Sequence, residues 1–294
     1  MKTTVRSYAK INWTLDVLHR RPDGFHEIRT LYQTVSLHDR LHITPTPGAI
    51  EIVCSDPRVP SDESNLVFKA ASSLREAIGI RAGARFEIEK RVPVAGGLGG
   101  GSSNAAAALM ALPRVWGTDL GLEQLIKLAA SIGSDVPFFL FGGTAVGVGR
   151  GEEVYITEDV ECGNILLANP GVAVSTATAY RALGRLTMGT PGSIIPVTLL
   201  AANAGMPPPT KGGNDLEVAV IPIHSEIGNL KQRLIDFGAS HALMSGSGGT
   251  VFGVFDNLPT SERARDQLRS EGLWCELVSA VGRKAYQAGL FEKT

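Results

Sequence analysis

Along residues 3–44 apolar and polar side chains alternate, most clearly at Ile11, Trp13, Leu15 and Val17 with Asn12, Thr14 and Asp16 between them. A repeat of two puts successive side chains on opposite faces, so the spacing predicts a series of half-buried strands. The period then changes. Leu66, residues 68–70 and Leu74 fall on one face of a helix predicted over 65–78, and a strand is predicted over 85–90. Residues 102–112 are dominated by alanine and leucine, open on Ser102-Ser103-Asn104 and predict a short helix stopped by Pro113. A second helix follows over 122–132 and a strand over 142–148. An acidic stretch at 157–163 gives way to the apolar Ile165-Leu166-Leu167-Ala168, which suggests two domains, 1–158 and 159–294. The second half predicts helices over 176–183, 224–237 and 260–269 and strands near 242–244, 251–255 and 275–278. Strands and helices in this mixed order imply an α+β fold of two halves rather than one doubly wound sheet.

Composition changes the picture at one residue type. The chain of 294 residues has 34 glycines, well above the roughly 7% that is usual. Sixteen of them lie in four short segments, 96–101, 142–151, 212–213 and 246–253, so the excess belongs to loops where backbone must come close to something. Charge adds an exclusion: a formal net charge of -1 argues against nucleic-acid or anionic-membrane binding, and any polyanion must be met locally. Cys54, Cys162 and Cys275 have no zinc or redox spacing and read as free thiols of a reducing compartment. The first residues lack the apolar core of a signal peptide, and the charge-free stretch 186–210 is broken by five prolines. A cytoplasmic protein without a membrane helix is therefore expected.

The first glycine segment carries the most chemistry. Pro93-Val94-Ala95-Gly96-Gly97-Leu98-Gly99-Gly100-Gly101-Ser102-Ser103 follows a predicted strand and opens into a predicted helix. Unpaired amides at a helix N-terminus form an anion site, and glycines remove the Cβ atoms that would hold phosphate oxygens away. No charged side chain occurs between Arg91 and Arg114, so amides and the Ser102 and Ser103 hydroxyls would have to hold the phosphates. No lysine follows the glycines as in a Walker loop, and no G-x-G-x-x-G is present. The segment 244–250, Met-Ser-Gly-Ser-Gly-Gly-Thr, reads equally as a bulged hairpin, and Lys10 with Asn12 on one strand face reads as a solvated face.

Taken together these segments resemble the GHMP kinase superfamily. Tyr8-Ala9-Lys10-Ile11-Asn12, the run Arg20-Arg21-Pro22-Asp23-Gly24-Phe25-His26, residues 93–107, Gly133-Ser134-Asp135-Val136-Pro137-Phe138-Phe139 and residues 244–252 carry the likeness over almost the whole chain. The runs around Phe25 and Asp135 make it closest to the branch that phosphorylates 4-diphosphocytidyl-2-C-methyl-D-erythritol.

The resemblance implies a two-domain α+β kinase with its site in the cleft between the halves. It implies ATP with Mg2+ bridging the phosphates and phosphoryl transfer to the 2-hydroxyl of the cytidyl substrate, in non-mevalonate isoprenoid synthesis. Asp135 would be the base and Lys10 its partner, with no resident metal site. ATP would be held by Pro93, Val94, Ala95, Gly96, Gly97, Leu98, Gly99, Gly100, Gly101, Ser102 and Ser103, with Asn65, Lys90 and Asn104; Asn65 reads equally as a helix N-cap. Asn12, Phe25, His26 and Tyr180 would hold the substrate, with the cytosine stacked between aromatic rings and hydrogen-bonded by His26. Phe25 departs from the family's usual Tyr, Trp13 from its usual Leu, and Gly249 stands where another small residue is common. A homoserine, mevalonate or sugar kinase, or a nucleotide-binding protein without catalysis, is the competing expectation. Residues 186–213 form a long proline-rich connection of the kind that is a lid or disordered.

Overall fold

The computed structural model describes residues 2–186 and 212–292. Most of the proline-rich connection, and with it the expectation of a lid or of disorder, lies outside the described residues. The alternating N-terminal pattern becomes two long antiparallel strands, β1 (Thr3–Arg20) and β2 (His26–Thr46), joined by the turn at residues 21–25. They anchor a six-stranded sheet with β3 (Ile50–Cys54), β4 (Gly83–Glu89), β5 (Thr144–Val148) and β6 (Glu153–Ile156), in the order β3-β4-β2-β5-β6 with β1 on β2. One end of β2 pairs with β4 and the other with β5, so this strand spans the sheet.

The expectation of a half-buried strand is corrected for the middle of β1. Between Ser7 and Leu15 every residue is buried, polar ones included. One face carries Ala9, Ile11 and Trp13 into an apolar core shared with Leu243 and Phe252 of the other half. Trp13 meets Phe252 edge to face at 5.5 Å. The other face lies under the glycine segment, where the Lys10 amide donates to the Leu98 carbonyl at 3.0 Å.

Helices α1 (Leu66–Ile78), α2 (Gly100–Trp116), α3 (Leu122–Ile132) and α4 (Phe138–Phe141) form the first core with the first sheet. Alanines 105–108 and 111 of α2 are buried there, where small side chains let helix and sheet approach closely. The expected start at Ser102 and stop at Pro113 are both corrected. The helix begins one turn's half earlier, with Gly99 at φ 68° as its N-cap, and runs through Pro113 to Gly117 at φ 65°. Proline forfeits one amide and is tolerated this close to the end, whereas the left-handed glycine terminates the helix.

The second half is a four-stranded antiparallel sheet ordered β10-β7-β9-β8, made of β7 (Ile165–Asn169), β8 (His241–Met244), β9 (Val251–Val254) and β10 (Trp274–Val278). Helices α5 (Thr176–Leu186), α6 (Glu217–Val220), α7 (Ser225–Asp236) and α8 (Leu258–Ser270) flank it around a second core. The last helix, α9 (Arg283–Gly289), returns to the first half. The Arg283 amide donates to Asp159 at 2.7 Å, Tyr286 and Leu290 fill the first core, and Phe291 pairs with Val5. The first sheet's last strand ends at Ile156 and the second sheet's first begins at Ile165, while α9 packs back on the first core. Among the described residues no helix is long and apolar enough to cross a membrane.

Candidate active site

Two glycine segments meet at the centre of the molecule. The Ser245 hydroxyl donates to the Gly97 carbonyl at 3.0 Å and the Thr250 amide to the Gly96 carbonyl at 3.1 Å. A Cβ on Gly97 would lie 2.0 Å from the Ser245 carbonyl oxygen, and one on Gly248 would lie 2.0 Å from the Gly97 nitrogen. Gly97 and Gly248 are therefore glycines because backbone packs on backbone between the two halves. The segment 244–250 is the turn of a hairpin, with β8 and β9 paired antiparallel on either side of it, and Asn214 grips its Met244 and Gly246 carbonyls at 2.8 and 2.6 Å.

The start of α2 is where backbone amides stay unpaired. Its first backbone bond runs from the Ser103 amide to the Gly99 carbonyl at 2.8 Å. The amides of Gly100, Gly101 and Ser102 consequently have no intrahelical acceptor and carry the positive end of the helix dipole. Gly101 is exposed, and a Cβ there would meet nothing nearer than Leu66 at 3.8 Å. Gly99 sits directly beside the stem of Lys10, since a Cβ on it would fall 3.1 Å from Lys10 Cγ.

Lys10 and Asn12, two residues apart on β1, face this place, and both are buried rather than solvated. Lys10 Nζ donates to Asn12 Oδ1 at 2.6 Å, Asn12 Nδ2 to Thr30 Oγ1 at 2.7 Å, and Thr30 Oγ1 to the Thr14 carbonyl at 2.7 Å. That chain of donors fixes the ammonium. Its charge partner is Asp135 at 3.4 Å, whose side chain is 31% exposed against 4% for Lys10. Asp135 stands in the turn between α3 and α4, pinned by the fully buried Val136, Phe138 and Phe139 that follow it. The Tyr32 hydroxyl of β2 donates to its other oxygen at 2.9 Å.

The remaining predicted residues fall into three groups. His26 stacks on Tyr180 with ring centres 5.3 Å apart and planes at 27°. Burial and then the charge of Arg20 lower the His26 pKa, which favours the neutral ring. Burial and the Asp135 charge raise the Tyr180 pKa, so this pair reaches toward the Lys10–Asp135 site. Phe25 lies farther out on the turn, exposed, with the Arg150 guanidinium 4.9 Å from its ring centre.

Lys90, Ser103 and Asn104 belong to a second polar network. Lys90 Nζ donates to Asp39 at 2.5 Å, the Arg91 and Val92 amides donate to Asp39 at 2.7 and 2.8 Å, and Asn104 Nδ2 donates to it at 3.0 Å. Asn104 also donates to Ser7 Oγ, which donates to Ser103 Oγ, each at 2.8 Å. Asn65 caps α1, its Oδ1 accepting from the Val67 amide at 2.8 Å. Sequence reasoning missed Thr30, Tyr32, Asp39, Asn214 and Ser245. Only Asp39 left a trace there, as a lone acid in an apolar alternating strand.

With the geometry in place, comparisons with known proteins are informative. Residues 65–143 match the GHMP kinases N terminal domain and residues 200–272 the GHMP kinases C terminal model. The chain is 40% identical over 284 residues to the 4-diphosphocytidyl-2-C-methyl-D-erythritol kinase of Geobacillus thermodenitrificans (strain NG80-2), covering 96% of this chain and 97% of that protein. It is 41% identical over 279 residues to the enzyme of the same name from Synechococcus sp. (strain JA-2-3B'a(2-13)), covering 91% and 90%. A crystal structure of 4-(cytidine 5'-diphospho)-2C-methyl-D-erythritol kinase matches with a TM-score of 0.77 at 33% identity, over 95% of this chain and 100% of that one. Homoserine kinase from Cytophaga hutchinsonii ATCC 33406 matches with a TM-score of 0.69 but at 18% identity, over 97% and 96%, a likeness of fold alone. Full-length identity of this order, on the same two-domain fold, places the chain in the 4-diphosphocytidyl-2-C-methyl-D-erythritol kinase family of the GHMP kinases.

Proposed function

We propose that the protein transfers the terminal phosphoryl group of ATP to the 2-hydroxyl of 4-diphosphocytidyl-2-C-methyl-D-erythritol, a step of non-mevalonate isoprenoid precursor synthesis. The observation that carries this reading is the Lys10–Asp135 pair, 3.4 Å apart with the carboxylate half open, beside the free amides at the start of α2. Asp135 accepts the hydroxyl proton as the oxygen–phosphorus bond forms and the bond to the ADP oxygen breaks. Lys10, paired with the carboxylate at 3.4 Å, stabilises negative charge on the transferring group. The amides of Gly100, Gly101 and Ser102 take the phosphates, which explains how a chain of net charge -1 handles a polyanion.

Magnesium fits this arrangement as a companion of the nucleotide. Among the described residues no three His, Cys, Asp or Glu side chains converge to hold a metal ion. The phosphates and the Ser102 hydroxyl are hard oxygen donors of the kind this ion takes, and bound there it would neutralise phosphate charge. His26, Tyr180 and Phe25 offer flat rings for the cytosine, with neutral His26 able to donate or accept a hydrogen bond.

Purified protein offered Mg-ATP with the cytidyl substrate, homoserine or mevalonate, with ADP release followed, tests the reading. Turnover of the cytidyl substrate alone is expected. Turnover of homoserine or mevalonate in its place, or of none of the three, overturns it.

A further inference from the structure

We infer that Tyr32 is a positioning residue for Asp135, and that Gly147 and Gly151 of the glycine segment at 142–151 seat it. That segment holds five of the 34 glycines, of which Gly142 packs on Tyr286 and Gly143 on Asp159 and Arg283. Two others face Tyr32. A Cβ on Gly147 would lie 2.4 Å from Tyr32 Cε2, and one on Gly151 would lie 2.4 Å from the Tyr32 hydroxyl oxygen. Both are closer than real Cβ contacts come, so any larger residue would displace the ring. Phe138 packs against it at 4.8 Å between centres, and Tyr32 is 1% exposed.

So held, the hydroxyl has one proton and two acceptors in reach: Asp135 Oδ1 at 2.9 Å and the Gly151 carbonyl at 3.5 Å. The shorter contact takes it. Burial, and next the Asp135 charge, push the Tyr32 pKa well up, so the group remains a donor wherever the protein is folded. With Tyr32 on Oδ1 and Lys10 nearest Oδ2, the plane of the carboxylate is set from both sides, leaving each oxygen a lone pair for an incoming hydroxyl. Lys10 Nζ also lies 5.5 Å from the Tyr32 ring centre, so one side chain steadies both members of the pair. The titratable groups that face Asp135 are Lys10 from β1, Tyr32 from β2 and Tyr180 from α5, with Glu152 acting on Tyr32 behind them.

The inference rests on Asp135 being the base, and the experiment separates the two. Tyr32→Phe keeps the ring and removes the hydroxyl. The expected result is a kcat lower by about tenfold, the worth of one hydrogen bond to a charged group, with KM for both substrates unchanged. Gly147→Ala displaces the ring and should reduce kcat in the same direction. Combined with Tyr32→Phe it should cost less than the product of the two. Wild-type kcat in Tyr32→Phe, a changed KM in place of a changed kcat, or full multiplication of the two effects overturns the inference. An active Asp135→Asn overturns the reading beneath it.

Discussion

The molecule contains two lysine–aspartate pairs on either side of the start of α2, and they differ in almost every physical respect. Lys90–Asp39 is closed: the nitrogen–oxygen distance is 2.5 Å and the side chains are 7% and 0% exposed. Four donors saturate Asp39, two of them backbone amides of the segment that leads into the glycines. Lys10–Asp135 is looser at 3.4 Å, and its carboxylate is 31% exposed. A buried acid whose acceptor sites are all taken can brace a loop but has nothing left to give a reactant. A partly open acid with two partners keeps a lone pair and access to solvent. Charge identity is the same in both pairs; what separates the brace from the proposed base is how many donors the fold brings and whether a path outward remains.

The largest effects should come from exchanging the roles of these pairs. Asp135→Asn should lower kcat by about two orders of magnitude or more while ATP still binds and the melting temperature stays close to wild type. Asp39→Ala should do the reverse. It leaves the Lys90 ammonium and three further donors buried without their acceptor, which costs about 3–5 kcal/mol, read as a drop in melting temperature and in denaturant midpoint. A large stability loss in Asp135→Asn, or none in Asp39→Ala, would erase the distinction.

The glycines around the pairs sharpen the comparison at a smaller scale. Gly248→Ala places a Cβ 2.0 Å from Gly97 nitrogen, backbone that cannot move aside cheaply. Overpacking of this kind costs about 1–3 kcal/mol, and thermal unfolding should show it. Gly101→Ala meets nothing nearer than Leu66 at 3.8 Å, so stability should hold or rise slightly, alanine being the better helix former. Its expected cost is a raised KM for ATP. An unchanged KM would remove Gly101 from the phosphate site.

The smallest effect concerns His26. Burial and then Arg20 lower its folded pKa, so the unfolded chain binds a proton more tightly than the folded one. Stability is therefore lost as pH falls through the ordinary histidine value of about 6.5. Burial likewise lowers His38 and His241, so the dependence is shared. Comparing melting temperatures at pH 7.5 and 5.5, His26→Gln should show a shallower fall than wild type.

Local signals were readable where they depend on neighbours in the chain. The helices at 65–78 and 122–132 and the strands near 242–244, 251–255 and 275–278 follow their periodicities to within a few residues. The start and end of α2 were misplaced because serine and proline are strong local signals, whereas left-handed Gly99 and Gly117 do the capping. Lys10 and Asn12 looked solvated because a strand's second face is covered only by what the rest of the chain lays on it.

By itself the sequence determined the alternating elements, the location of the glycine excess and, through motifs, the kinase family with Lys10 and Asp135 as its candidate pair. Those are properties of short windows, where spacing dictates which side chains share a face. Tertiary structure alone decided what the glycines touch, because a missing Cβ records a close approach without naming the partner. Gly97 and Gly248 meet each other, Gly147 and Gly151 make room for Tyr32, and at the opening of α2 a Cβ on Gly101 would meet nothing nearer than Leu66 at 3.8 Å. It also decided which of two lysine–aspartate pairs is sealed, since donors separated by up to 65 residues converge on Asp39 only when sheet and helix pack.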